Sequence, residues 1–198
     1  MSKAPLDEAR PEVWLVRHGE TEWSRLGRHT GRTDVPLTDV GRTQAVAVGR
    51  RLADHAFALV LSSPLSRALE TARRAGFAEV VETTDDLLEW DYGADEGRTT
   101  PDIRRDRPDW TIWRDGPKDG ERADDVAART DRVIARARAA TGDVLLFAHG
   151  HVLRVLAARW LGQPPSAGGL YALSTATLSV LGWERETAVL ERWNDVAG

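Results

Sequence analysis

The 198-residue sequence contains no cysteine, so disulfides, thiolate nucleophiles and cysteine-bound metals are excluded at once. It has no uninterrupted apolar run of about 18 residues, which argues against a membrane-spanning helix. It also lacks a basic excess. The net charge is −4, whereas proteins that neutralise nucleic-acid phosphates usually carry the opposite balance. Residues 1–11 are polar, carry both charge signs and lack the apolar core of a signal peptide. They read as a flexible N-terminal segment, and the expected location is the cytoplasm, which suits a cysteine-free chain. Repeats, linkers and low-complexity tracts are missing, so residues 1–198 are expected to form a single domain around one core.

What is present is a strand–helix alternation. Val13 to Val16 is a short apolar run that opens into Arg17-His18-Gly19 and reads as a buried strand followed by a loop. Thr38 is placed as the N-cap of a helix running to about His55. Phe57 to Leu61 reads as a second strand, Ser62-Ser63-Pro64 as the start of a helix ending near Gly76, and Glu79 to Glu82 as a third strand. Asp85 to Gly120 reads as long functional loop with one short helix near Pro101 to Asp106. A long helix over Glu121 to Ala140, a buried strand over Val144 to Ala148 and a helix through Trp160 follow. Leu170 to Leu173, Ala176 to Trp183 and Ala188 to Trp193 read as late strands. The pattern predicts an α/β fold: a three-layer αβα sandwich with a mostly parallel, doubly wound sheet.

In open sheets of this kind ligands bind beyond the carboxyl ends of the strands. Two of the strongest strands end in Arg17-His18 and in His149, so these distant segments are predicted to meet. The residue types suit phosphate. An imidazole titrates near neutrality and serves as an uncharged nucleophile, and the arginine fork matches phosphate oxygens.

Four ordered segments carry a family resemblance: Arg17-His18-Gly19-Glu20-Thr21-Glu22-Trp23-Ser24; Gly31-Arg32-Thr33-Asp34-Val35-Pro36-Leu37-Thr38; Ser62-Ser63-Pro64-Leu65-Ser66-Arg67-Ala68; and Leu88-Glu89-Trp90-Asp91-Tyr92-Gly93 paired with Ala148-His149-Gly150-His151. With these, the chain resembles the histidine phosphatase (phosphoglycerate mutase-like) superfamily over nearly its whole length. The resemblance implies that His18 attacks phosphorus and becomes a phosphohistidine. It implies that Arg17, Arg67 and His149 hold the equatorial oxygens, and that Glu89 protonates the leaving oxygen and then activates water. Ser24, Thr30, Gly31, Tyr92 and Gly150 fall at accessory substrate or phosphate positions, although many members have asparagine where this chain has Ser24. The chemistry implied needs no metal or other cofactor, and no carboxylate or histidine cluster has metal spacing.

Three activities share this scaffold: a phosphatase, a cofactor-dependent phosphoglycerate mutase and a non-catalytic phosphate-binding module. Only Tyr92 to Ala148 separates Glu89 from His149, shorter than mutases of the family usually have, and His151 stands where mutases tend to have asparagine. Both features favour hydrolysis. The motifs also resemble a subgroup that includes fungal sedoheptulose-1,7-bisphosphatases and bacterial acid-phosphatase-like proteins, so the expected partner is a small phosphate ester, with a sugar phosphate in view. Outside the motifs, His29 and His151 are candidate substrate contacts, Trp110 and Trp113 a candidate lid, and Arg98, Arg104, Arg105 and Arg114 a candidate second anionic subsite. The segment Leu170 to Trp193 is compatible with an edge strand or a homo-oligomer surface.

Overall fold

The computed structural model describes residues 10–196, so the reading of 1–11 as flexible lies almost wholly outside the described residues. The elements in order are β1 (Val13–Arg17), α1 (Glu22–Arg25), α2 (Asp39–Leu52), β2 (Leu59–Ser62), α3 (Ser66–Ala72), β3 (Glu82–Thr83), α4 (Thr100–Asp106), α5 (Ile112–Asp115), α6 (Ala123–Arg138), β4 (Val144–Ala148), α7 (Gly150–Trp160), β5 (Thr177–Glu184) and β6 (Thr187–Val196). Among the described residues six strands form one sheet in the order β3-β2-β4-β1-β5-β6. The first four run parallel, and β5 and β6 extend the sheet in antiparallel sense. The mostly parallel αβα architecture expected from the alternation is the one observed.

β4 explains the layering. All five of its residues are buried, as a central strand covered on both faces requires. Side chains alternate between faces. Val144, Leu146 and Ala148 pack with α6 and α7, while Leu145 and Phe147 meet Val48 and Leu52 of α2 and Ala72 of α3. The same topology gathers the ends of three strands. The His18 N–H donates to the Ala148 carbonyl (3.0 Å) and the Ser63 N–H to the Phe147 carbonyl (2.9 Å), so the residues following β1, β2 and β4 sit side by side.

Thr38 caps α2 as the sequence indicated, accepting from the Gly41 N–H at 3.0 Å. Gly41 itself lets the loop after His18 lie directly on the helix, since a Cβ there would come 2.1 Å from the Glu20 carbonyl oxygen. Several boundaries differ from expectation. The helix placed at Ser62 starts at Ser66, because the β2 ladder continues to Ser62 and Ser63 still bonds to β4. The third strand is only Glu82–Thr83, at the sheet edge. The long loop region holds a second short helix, α5, that its weak periodicity hid. Leu170 to Leu173 is not a strand. It closes a 3-10 turn over Pro165–Leu170 and then runs without a ladder partner, because its carbonyls serve side chains instead: Leu173 accepts from Arg17 and Ala172 from Trp193.

Candidate active site

His18, the first residue past β1, has its ring anchored through Nδ1 to the Gly19 carbonyl at 2.7 Å. A carbonyl only accepts, so Nδ1 carries the hydrogen and the Nε2 lone pair is left free. His18 lines a cavity of about 170 Å³ together with Arg17, Ser24, Thr30, Glu89, Tyr92 and Gly150. Seven of the ten residues singled out by sequence therefore share one cavity wall.

Arg17 reaches this cavity from the last position of β1. Its Nη1 donates to the Leu173 carbonyl, while Nε is buried with no protein partner. An orphaned buried donor is costly, and here it stands beside the free imidazole nitrogen's cavity, where an anionic oxygen would satisfy it. Gly150 makes room for that guanidinium: a Cβ at 150 would lie 3.3 Å from Arg17 Cζ.

Arg67 and His149 stand behind His18 rather than in the wall; both are fully buried. The two imidazole rings lie 5.2 Å apart. Arg67 Nε donates to His149 Nδ1 (3.1 Å), which leaves Nε2 of a neutral His149 to donate to Ser63 Oγ (2.8 Å). The rest of the Arg67 fork holds the carbonyls of Thr30, Gly31 and Thr33 at 2.9–3.0 Å. Gly31 is not in the wall. Its N–H donates to Glu96, and a Cβ there would lie 2.5 Å from the Trp90 carbonyl oxygen, so close packing demands the glycine.

Glu89 occupies the N-terminus of α7. Its Oε1 accepts from the Trp90 and Val152 N–H groups (both 2.9 Å), and its Oε2 accepts from the His151 N–H (3.0 Å). The free N–H groups of the helix end are thus taken by this carboxylate rather than left for a bound anion. Oε1 is saturated, whereas Oε2 retains a lone pair. Next to it, Tyr92 Oη and His151 Nδ1 are 2.7 Å apart.

Burial, then the charges of Arg67 and Arg17, hold the His18 imidazole well below the usual histidine range. Burial and Arg67 do the same for His149, and burial and Arg154 for His151. His29 is pushed down to about 4 by burial. Above pH 6.5 His29 is neutral in both folded and unfolded chains; as pH falls from there, the unfolded chain takes up a proton that the folded one refuses. Stability is therefore lost between about pH 6.5 and 4, and the His29 share is about 3 kcal/mol. Urea unfolding of His29→Gln should show an acid loss smaller by that amount; an identical loss would contradict the assignment.

The remaining candidates sort plainly. His29 and His151 line the cavity, and sequence reading missed four further wall residues, Gly27, Leu173 and the charged Arg28 and Arg154. Arg154 sits four residues past Gly150 and three past His151 on α7, a spacing that periodicity alone could have flagged. The four arginines of the proposed anionic subsite are absent from the wall: Arg98 pairs with Asp95 and Asp106, Arg105 with Asp102 and Arg114 with Asp115, and Arg104 donates to the Trp110 carbonyl. Trp110 and Trp113 form no lid. They pack behind the wall against His29 and His151. Among the described residues no three histidine, aspartate or glutamate side chains form a metal-binding group, and no helix is long and apolar enough to cross a membrane.

A free imidazole nitrogen, an orphaned guanidinium donor and a carboxyl oxygen stand around one small cavity, the set of groups that phosphoryl transfer through a histidine requires. Comparison with known proteins gives the family. A profile described as the histidine phosphatase superfamily (branch 1) matches residues 13–196. An acid phosphatase of Mycobacterium tuberculosis is 45% identical over 183 residues, covering 89% of this chain and 90% of that protein. The sedoheptulose 1,7-bisphosphatase of Saccharomyces cerevisiae is 36% identical, covering 77% of this chain and 68% of its own length. A solved structure of an open reading frame product from M. tuberculosis superposes with a TM-score of 0.91 at 42% identity, covering 95% of this chain and 99% of the other. The chain belongs to the histidine phosphatase superfamily, branch 1, and is an enzyme of the phosphoric monoester hydrolase class.

Proposed function

We propose that the protein hydrolyses a phosphorylated sugar through a phosphohistidine on His18. The observation that carries the reading is the His18 Nε2 lone pair, free of protein partners, in one cavity with the orphaned Arg17 Nε and with Glu89. Nε2 attacks phosphorus, the ester P–O bond breaks, and the proton on Glu89 Oε2 passes to the leaving oxygen. Water then attacks the phosphohistidine while Glu89 takes its proton, releasing orthophosphate and regenerating His18. Arg17 binds the transferring oxygens; Arg67 and His149 back the nucleophile and supply positive field and hydrogen bonding as charge builds. Ser24, Thr30, Tyr92 and Gly150 line the substrate's path.

The leaving-group wall supports a polyhydroxylated, anionic substrate. Tyr92, His29 and His151 offer neutral polar edges, and Arg28 and Arg154 have no acidic partner within ion-pair distance among the described residues. The names of the relatives, one of which acts on sedoheptulose 1,7-bisphosphate, point the same way. A small ester in the cytoplasm suits the cysteine-free chain, and its charge of −4 does not suit nucleic acid. The test is a panel of sugar mono- and bisphosphates and phosphoglycerates assayed with EDTA. Phosphate release should be greatest from a sugar phosphate. Interconversion of 2- and 3-phosphoglycerate without release would instead make the protein a mutase.

A further inference from the structure

The segment that carries Glu89 has little regular structure of its own. It leaves a 3-10 turn at Asp85–Leu87 and re-enters one only at Gly93–Asp95. A general acid held on such a segment must be fixed from outside, because misplacement of about 1 Å costs on the order of a hundredfold in rate. The α7 N–H groups hold its carboxylate, and its backbone is held by two residues outside the cavity wall. Arg129, on α6 and 6% exposed, donates through Nη1 to the carbonyls of Asp86 (3.0 Å) and Leu88 (2.5 Å). Its Nε and Nη2 grip the Glu121 carboxylate side-on at 3.0 and 3.2 Å. Glu121 in turn takes the residues just after Glu89. Its Oε2 accepts from the Asp91 N–H (2.9 Å), its carbonyl from Trp90 Nε1 (2.8 Å), and its own N–H donates to the Asp91 carbonyl (3.0 Å).

We infer that the Arg129–Glu121 pair, with Arg129 buried and Glu121 partly buried, is a positioning device for the Glu89 carboxyl, clamping the backbone on both sides of it so that Oε2 meets the leaving oxygen. The inference rests on the reading of Glu89 as proton donor. Neither residue lines the cavity, so both act through Glu89 rather than on substrate. The planar fork is essential, because one guanidinium spans two carbonyls and a carboxylate at once, which the single ammonium of lysine cannot do.

The test separates positioning from mere stability through the leaving group. A p-nitrophenolate departs with little protonation, whereas a sugar alkoxide needs a proton in the transition state. Single-turnover transfer to His18 is measured for p-nitrophenyl phosphate and for a hexose monophosphate, in wild type, Arg129→Lys, Glu121→Gln, Glu89→Gln and the Arg129→Lys/Glu89→Gln double variant. Arg129→Lys is expected to lower the hexose-to-aryl rate ratio about ten- to hundredfold, with no further fall in the ratio in the Glu89→Gln background. Should Arg129→Lys fail to fold, Glu121→Gln gives the same reading, since it keeps one acceptor oxygen while removing the carboxylate that Arg129 grips side-on. A ratio that stays at the wild-type value in both Arg129→Lys and Glu121→Gln, while Glu89→Gln lowers it, overturns the clamp alone. A ratio unmoved by Glu89→Gln overturns the proton-donor reading and the clamp with it. An additional loss in the double variant shows that Arg129 acts independently of Glu89, and also overturns the clamp.

Discussion

His18→Ala is expected to lower turnover by at least about ten-thousandfold on every substrate, aryl or sugar, because the other two imidazoles of the cavity wall, His29 and His151, each have a ring nitrogen tied to a neighbour, Thr100 and Tyr92 respectively. The geometry makes the effect independent of leaving group. His18 supplies the bond-forming lone pair, fixed in its tautomer by the 2.7 Å contact to the Gly19 carbonyl, and neither Arg17 nor Glu89 offers a replacement. His149 does not substitute, since its Nδ1 receives Arg67 and its Nε2 is committed to Ser63. The fold should survive, as the layers on both sides of the sheet do not depend on the imidazole. The companion measurement is rapid acid-free quenching with radiolabelled substrate. Label that is stable to base, labile to acid and absent from the alanine variant places the phosphoryl group on His18. Label on any other residue would overturn the mechanism.

How much of this could be read before the structure depends on how local the signal is. The sheet was legible because Val144 to Ala148 and Val13 to Val16 are apolar runs bounded by turns, and parallel strands covered on both faces need no alternation. The meeting of His18 with His149 followed from topology, since both end parallel strands of one sheet. The misread Leu170 to Leu173 shows the limit. An apolar tetrapeptide looks like a strand whether or not a ladder awaits it, and here the carbonyls of Ala172 and Leu173 answer to Trp193 and Arg17, residues distant in the chain. The arginines show the same limit in charge. Arg98, Arg104, Arg105 and Arg114 cluster in sequence but are engaged by nearby carboxylates and carbonyls, while Arg28 and Arg154, far apart in the chain, both line the cavity wall. The Arg129–Glu121 clamp was equally invisible: an i,i+8 pair reads as two solvated charges on a helix and its approach, until the segment from Asp86 to Asp91 is laid across it.

Glu89→Gln separates the two half-reactions. For a sugar phosphate the first transfer should slow about 10²- to 10⁴-fold, because the alkoxide leaves unprotonated. For p-nitrophenyl phosphate the first transfer should slow much less, yet steady-state turnover should fall, since the phosphohistidine then waits for a water that has lost its base. The predicted signature is a burst of one equivalent of p-nitrophenol per active site followed by a slow phase. The variant carries a structural cost that must be measured beside it. Three backbone N–H groups, from Trp90, His151 and Val152, converge on the two carboxylate oxygens, and an amide presents only one acceptor to them. One N–H must face the glutamine NH₂, which costs about 1–3 kcal/mol, visible as a lower urea midpoint. That loss lowers the folded fraction equally for both substrates and produces no burst. An equal fall for aryl and sugar phosphates without a burst would therefore leave Glu89 as a cap for α7 and nothing more, and the proton would have to come from the Tyr92–His151 pair, whose Oη and Nδ1 lie 2.7 Å apart beside it.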